Sequence, residues 1–100
     1  MLQATCDVVA SVANGSQAIQ AVTALRPDVL VVDLMMPDMD GLEVCRSVMQ
    51  VAPDTAVIIV TAFDDPHVRE IALRDGARDF VPKAMASDRL ESLIQRLAIR

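Results

Sequence analysis

An α/β fold built on a parallel sheet is predicted by three features of this 100-residue chain. Strand-like and helix-like segments alternate four times. Two apolar runs, near residues 29–32 and 56–60, have no polar face of their own. Three polar residues able to do chemistry, Asp33, Thr61 and Lys83, each stand where a strand-like segment ends. Continuous apolar runs mark strands buried on both faces, the condition of parallel sheets joined by right-handed helical crossovers.

Taken in order, residues 7–12 (DVVASV) read as the first strand. Asn14-Gly15 then turns the chain into a helix expected to be N-capped by Ser16, with Ile19, Val22 and Leu25 on its inner face and Pro27 at its end. The run Val29–Val32 is the second strand and delivers Asp33 to its carboxyl end. In the loop that follows, Pro37 disfavours a helical conformation at Met36, and Asp40-Gly41-Leu42-Glu43 has the spacing of a capping box. The helix it opens runs to about Val51 and buries Leu42, Cys45, Val48 and Met49.

Ala56 to Thr61 forms the third strand. Asp65 before Pro66 is a helix start, Val68, Ile71 and Ala72 face inward, and Gly76 is placed to stop that helix. Residues 79–82 (DFVP) make a fourth strand, expected at the sheet edge because Pro82 has no N–H to give a second neighbour. Ser87 or Asp88 opens a last helix carrying Leu90, Leu93, Ile94 and Leu97.

Composition narrows the function classes. With 53% hydrophobic residues and a mean hydropathy of +0.38, the chain supports one domain with a buried core. A net charge of −5 argues against nucleic-acid binding through this domain, since phosphate contacts need clustered Lys and Arg. No apolar run approaches the ~18 residues of a membrane span and no basic-then-apolar leader is present, so the expectation is a soluble, cytoplasmic domain with no membrane partner. Cys6 and Cys45 form no CxxC and read as small buried hydrophobes, not a metal site. His67 reads as a surface residue in the first turn of a helix.

In an open parallel sheet, ligands bind beyond the carboxyl ends of the strands. Adjacent strands lie ~4.8 Å apart, so Thr61 should neighbour Asp33, and Lys83 should start ~10 Å away, within reach of its long side chain. A carboxylate nucleophile with an ammonium and a hydroxyl to hold phosphoryl oxygens suits phosphoryl acceptance on Asp33. A strong Mg²⁺ site would need further carboxylates, and this set offers only one.

The motifs DLMMPDMDG, VTA and FVPK, in this order and at these strand ends, resemble the receiver domain of two-component response regulators, over essentially the whole chain. The resemblance implies a flavodoxin-like fold with helices on both faces of the sheet. It also implies that Asp33 is the phosphoacceptor for a sensor histidine kinase, Thr61 the switch hydroxyl, Phe80 the switch aromatic that rotates inward, and Lys83 the phosphate-contacting lysine. Mg²⁺ would be held by Asp33 and the backbone carbonyl of Met35. The changed surface would lie on the last two helices and the edge strand. The role is that of an acceptor, not of an enzyme; a phosphatase of the haloacid dehalogenase type needs an acid two residues past its nucleophile, where Met35 stands. The competing reading is a phosphate-independent interaction module, pairing through that same surface, for instance as a homodimer.

Two departures from the family pattern set further expectations. The family's first strand, whose acidic pair binds Mg²⁺, has no counterpart here, because the residues before position 7 leave no room for another strand and helix. Asp7 lies at the wrong end of its strand to replace that pair. Residues 1–100 are therefore expected to be one receiver domain truncated at the N-terminus, with Met1-Leu2-Gln3 the tail of the lost helix and no output domain; a compact four-stranded variant or completion by a partner are the alternatives. Loss of that strand is expected to leave a gap inside the sheet. Second, Ala84 follows Lys83 where the family often has Pro, so a cis bond there would cost ~3 kcal/mol.

Overall fold

The strand and helix segments are realised as a four-stranded parallel sheet with helical crossovers; the structure, a computed structural model, describes residues 8–9, 14–36, 38–62, 65–85 and 92. In chain order the elements are β1 (Val8–Val9), α1 (Gly15–Leu25), β2 (Val29–Asp33), α2 (Gly41–Val51), β3 (Ala56–Thr61), α3 (Pro66–Arg74), β4 (Asp79–Pro82) and a 3₁₀ turn (Lys83–Met85). Most of the expected last helix, most of the first strand with Asp7, and Cys6, Pro37 and Asp64 lie outside the described residues.

The strand order is β1–β2–β3–β4. The gap expected inside the sheet is not there: Val8 pairs with Val29 and Val9 with Leu30, so β1 lies directly against β2. Direct pairing satisfies backbone N–H and C=O groups along β2 that a gap would leave buried and unpaired, at about 1–3 kcal/mol each. β4 sits at the edge, with Pro82 as the last residue in register, opposite Thr61, as its missing N–H requires.

Alternation along the strands sorts the core into two layers. Leu30 and Val32 of β2, Val57 and Ile59 of β3, and Phe80 of β4 face α1, α2 and α3, which bring Ala18, Val22, Val44, Cys45, Val48 and Ala72 to the same cluster. Val29, Val31, Ala56, Ile58 and Val81 form the opposite layer and are buried as well. The three described helices thus share one face, which is what right-handed crossovers running one way along the sheet require.

Local signals explain most element ends. Asp40 caps α2 by accepting the Glu43 N–H at 2.8 Å, Asp65 caps α3 with Pro66 at its first position, and Gly76 stops α3 with φ 108°. The start of α1 differs from expectation. Its N-cap is Asn14, whose side chain accepts the Gln17 N–H at 2.9 Å, and Ser16 already lies inside the helix. The inner face of α1 is accordingly Gly15, Ala18 and Val22; Ile19 is half-buried and Leu25, on the last turn, is 66% exposed. Small residues win this face because they let the helix backbone approach the sheet and α2 closely. Val68 and Ile71 of α3 are half-buried and Ala72 fully so.

Candidate functional site

The carboxyl ends of three strands meet at one edge of the sheet, and each contributes one polar side chain. Asp33 ends β2 in register with Val60, so Thr61 stands one residue further along the adjacent strand. Thr61 in turn pairs with Pro82, and Lys83 follows at once in the 3₁₀ turn. The Lys83 ammonium crosses over β3 to the acceptor candidate: Nζ lies 2.7 Å from Asp33 Oδ2. The reach estimated from strand spacing is therefore used in full. Both partners are open to solvent, the Asp33 side chain at 35% and Lys83 at 52%, while Thr61 is buried. No cis peptide occurs among the described residues.

The loop after β2 is held at both ends by its backbone. The Leu34 N–H donates to the Val60 carbonyl at 2.8 Å, and the Gly41 N–H donates back to the Leu34 carbonyl at 2.8 Å. That closure places Gly41 against Asp33: a Cβ on Gly41 would stand 2.9 Å from the Asp33 carbonyl oxygen and 3.1 Å from Leu34 Cα. The Met35 N–H faces Asp33 Oδ1 at 3.5 Å, with its side chain projecting into solvent.

Phe80 is fully buried in the helix-facing layer, already inside the core where the switched position was expected. Its backbone is gripped on both sides. The Phe80 N–H donates to Asp79 Oδ1 at 2.7 Å and its carbonyl accepts from Arg69 of α3 at 3.0 Å, and Arg69 also lies 3.5 Å from Asp79. Nothing local in the sequence announces this pairing of α3 with β4.

Asp38 is the other residue whose role is larger than its loop position suggested. Its carboxylate accepts the N–H of Gly15 at 2.7 Å and both the N–H and the hydroxyl of Ser16, at 3.0 and 2.8 Å. Hydrogen bonds from Gly15, then from Ser16, hold its pKa down at about 2. Cys45 is buried; desolvation and the nearby Asp75 charge push its thiol up to about 11, which makes it a packing residue and not a nucleophile. His67 is exposed, as expected of a surface residue.

Among the described residues no three His, Cys, Asp or Glu side chains converge to hold a metal ion. Of the two groups expected to hold Mg²⁺, Asp33 and the Met35 carbonyl, Asp33 is engaged by Lys83. The described residues therefore do not make up a Mg²⁺ site. No helix among them is long and apolar enough to cross a membrane.

Comparison with known proteins gives a consistent result. The family model described as the response regulator receiver domain matches residues 1–95. The response regulator MprA of Mycobacterium leprae is 40% identical over 87 residues, which is 87% of this chain and 38% of that protein, so the chain spans little more than a third of such a relative. Among solved structures, a DNA-binding response regulator of the LuxR family from Staphylococcus aureus superposes with a TM-score of 0.76 at 30% identity, covering 85% of this chain and 71% of that one. The beryllofluoride-activated DrrB receiver domain superposes with a TM-score of 0.79 at 29% identity, covering 87% of this chain and 73% of that one.

Proposed function

We propose a function from one premise: the chain belongs to the response regulator receiver domain family, with its flavodoxin-like α/β fold. Phosphorylation is the general role of that family, and on this reading Asp33 is the residue phosphorylated here. The observation that carries the assignment is the 2.7 Å pair between Lys83 and Asp33, with Thr61 at the adjacent strand end.

The chemistry follows from these groups. The Asp33 carboxylate oxygen attacks the phosphorus of a phosphohistidine on a sensor histidine kinase; the new P–O bond forms as the P–N bond breaks, and its electron pair returns to the imidazole. Transfer through a loose transition state asks mainly for positioning and charge. On this reading Lys83, 2.7 Å from the carboxylate, follows the negative charge onto the phosphoryl oxygens, and the Thr61 hydroxyl donates to another. The doubly charged group then biases the surface built on β4 and the helices beside it, with Phe80 as the buried link. Receiver domains in general bind Mg²⁺, and the described residues of this chain do not complete a site for it.

Residues 1–100 act, on this reading, as a receiver domain in the cytoplasm. A second reading has one observation in its favour. Among the described residues no three His, Cys, Asp or Glu side chains converge to hold a metal ion, which suits a phosphate-independent module that pairs through the β4 surface, as a homodimer or with a partner. Incubation with acetyl phosphate and Mg²⁺ separates the two. The first reading expects an acyl phosphate on the parent chain, none on Asp33→Asn, and self-association that responds to the label. Unlabelled protein whose association is the same in Asp33→Asn would favour the second.

A further inference from the structure

The loop that follows Asp33 is anchored at its start by β3 and at its end by its own closure, and its middle is tied to a different helix altogether. Asp38 reaches the first turn of α1, where Oδ1 takes the Gly15 N–H and Oδ2 takes the N–H and O–H of Ser16. Asn14 takes the Gln17 N–H in the same turn, so two side chains divide these donors and neither is redundant. Met39 packs over Gly15, where a Cβ would overlap its side chain. A carboxylate at a helix N-terminus is also favoured by the helix dipole. The loop between Asp33 and α2 is thereby strapped to α1.

Position matters at the other end of that strap. The Met35 N–H stands 3.5 Å from Asp33 Oδ1, a separation that a small loop displacement would turn into either a firm hydrogen bond or none. Backbone groups that must meet a phosphoryl group lose rate steeply when misplaced, by up to about 100-fold per ångström.

We infer that Asp38 is a positioning residue for phosphoryl acceptance at Asp33, holding the Leu34–Asp40 loop in register with the acceptor by its hydrogen bonds to Gly15 and Ser16. This rests on the phosphoacceptor reading above. It commits to an order among variants. Asp38→Ala removes all three bonds, Asp38→Asn keeps one acceptor oxygen, and Ser16→Ala removes the hydroxyl contact alone.

The test measures the rate of acetyl phosphate labelling on the folded chain, with a thermal melt of each variant beside it. The expected result is a rate lowered about tenfold in Asp38→Ala, less in Asp38→Asn and least in Ser16→Ala, at temperatures where each is fully folded. A purely structural role would lower the melting temperature and leave the folded chain's labelling rate unchanged, which would overturn the proposal. If the parent chain takes no label, the phosphoacceptor reading fails separately, and the amides decide this one. Positioning predicts a shifted Met35 amide resonance and faster exchange at Gly41 in Asp38→Ala, with β2 and β3 unaffected; an unmoved Met35 and Gly41 would sink it.

Discussion

Gly41→Ala pits helix propensity against the geometry of the acceptor loop. Gly41 is the first residue of α2, where Ala is the better helix former by up to about 1 kcal/mol. The structure opposes that gain. The added Cβ would stand 2.9 Å from the Asp33 carbonyl oxygen and 3.1 Å from Leu34 Cα, and these are backbone atoms with no rotamer to move aside. Relief requires the loop to back away, weakening the 2.8 Å bond from the Gly41 N–H to the Leu34 carbonyl. Overpacking of this kind costs about 1–3 kcal/mol and a lost backbone hydrogen bond about 1. Set against the propensity gain, the net destabilisation is about 1–3 kcal/mol, or a melting temperature lowered by roughly 5–20 °C for a domain of this size. Thermal denaturation by circular dichroism reads this directly. A variant as stable as the parent, or more stable, would refute the close approach of α2 to the acceptor strand.

Three further outcomes follow from the same geometry. Lys83→Ala should change stability by no more than about 1 kcal/mol, because the pair with Asp33 is solvent-exposed, yet it should suppress acetyl phosphate labelling; a variant labelled at the parent rate would remove Lys83 from the site. Phe80→Ala deletes the largest fully buried side chain among the described residues and should cost about 3–5 kcal/mol, a large share of the ~5–15 kcal/mol that holds a small domain, as read from urea denaturation. Asp38 has a folded pKa of about 2, below the ordinary value of 3.8, so its contribution to stability is complete above the ordinary value and lost as pH falls toward 2. Melts taken from pH 5 downward should fall less steeply for Asp38→Asn than for the parent, and parallel curves would contradict the strap.

Much of this was legible in the chain because the relevant signals are local. Apolar runs at Val29–Val32 and Ala56–Val60, the caps at Asp40 and Asp65, and Gly76 each act within a turn or two, and the strands and helices stand where these signals put them. Convergence of Asp33 and Lys83 was legible too, since parallel strands of known spacing fix which ends meet. What escaped depends on contacts distant in sequence. Asp38 reads as a loop residue until α1 is folded beside it, and Ser16 reads as a cap until Asn14 takes that position and Asp38 claims its hydroxyl. The grip of Arg69 on Asp79 and Phe80 likewise exists only once α3 packs on β4. The sheet also closed where a gap was expected, because backbone groups beside β2 find partners in β1 at little cost compared with staying unpaired.

The central claim is that Asp33, Thr61 and Lys83 form one phosphoryl-binding site, and the most direct measurement is a beryllofluoride titration of the chain, with Mg²⁺ present, followed through backbone amide resonances. The structure predicts saturable shifts at Leu34, Thr61 and Lys83, with Phe80 and Arg69 responding through the β4 contacts, and none of these in Asp33→Asn. Shifts that fail to saturate, that spare Thr61 and Lys83, or that persist in Asp33→Asn would contradict it.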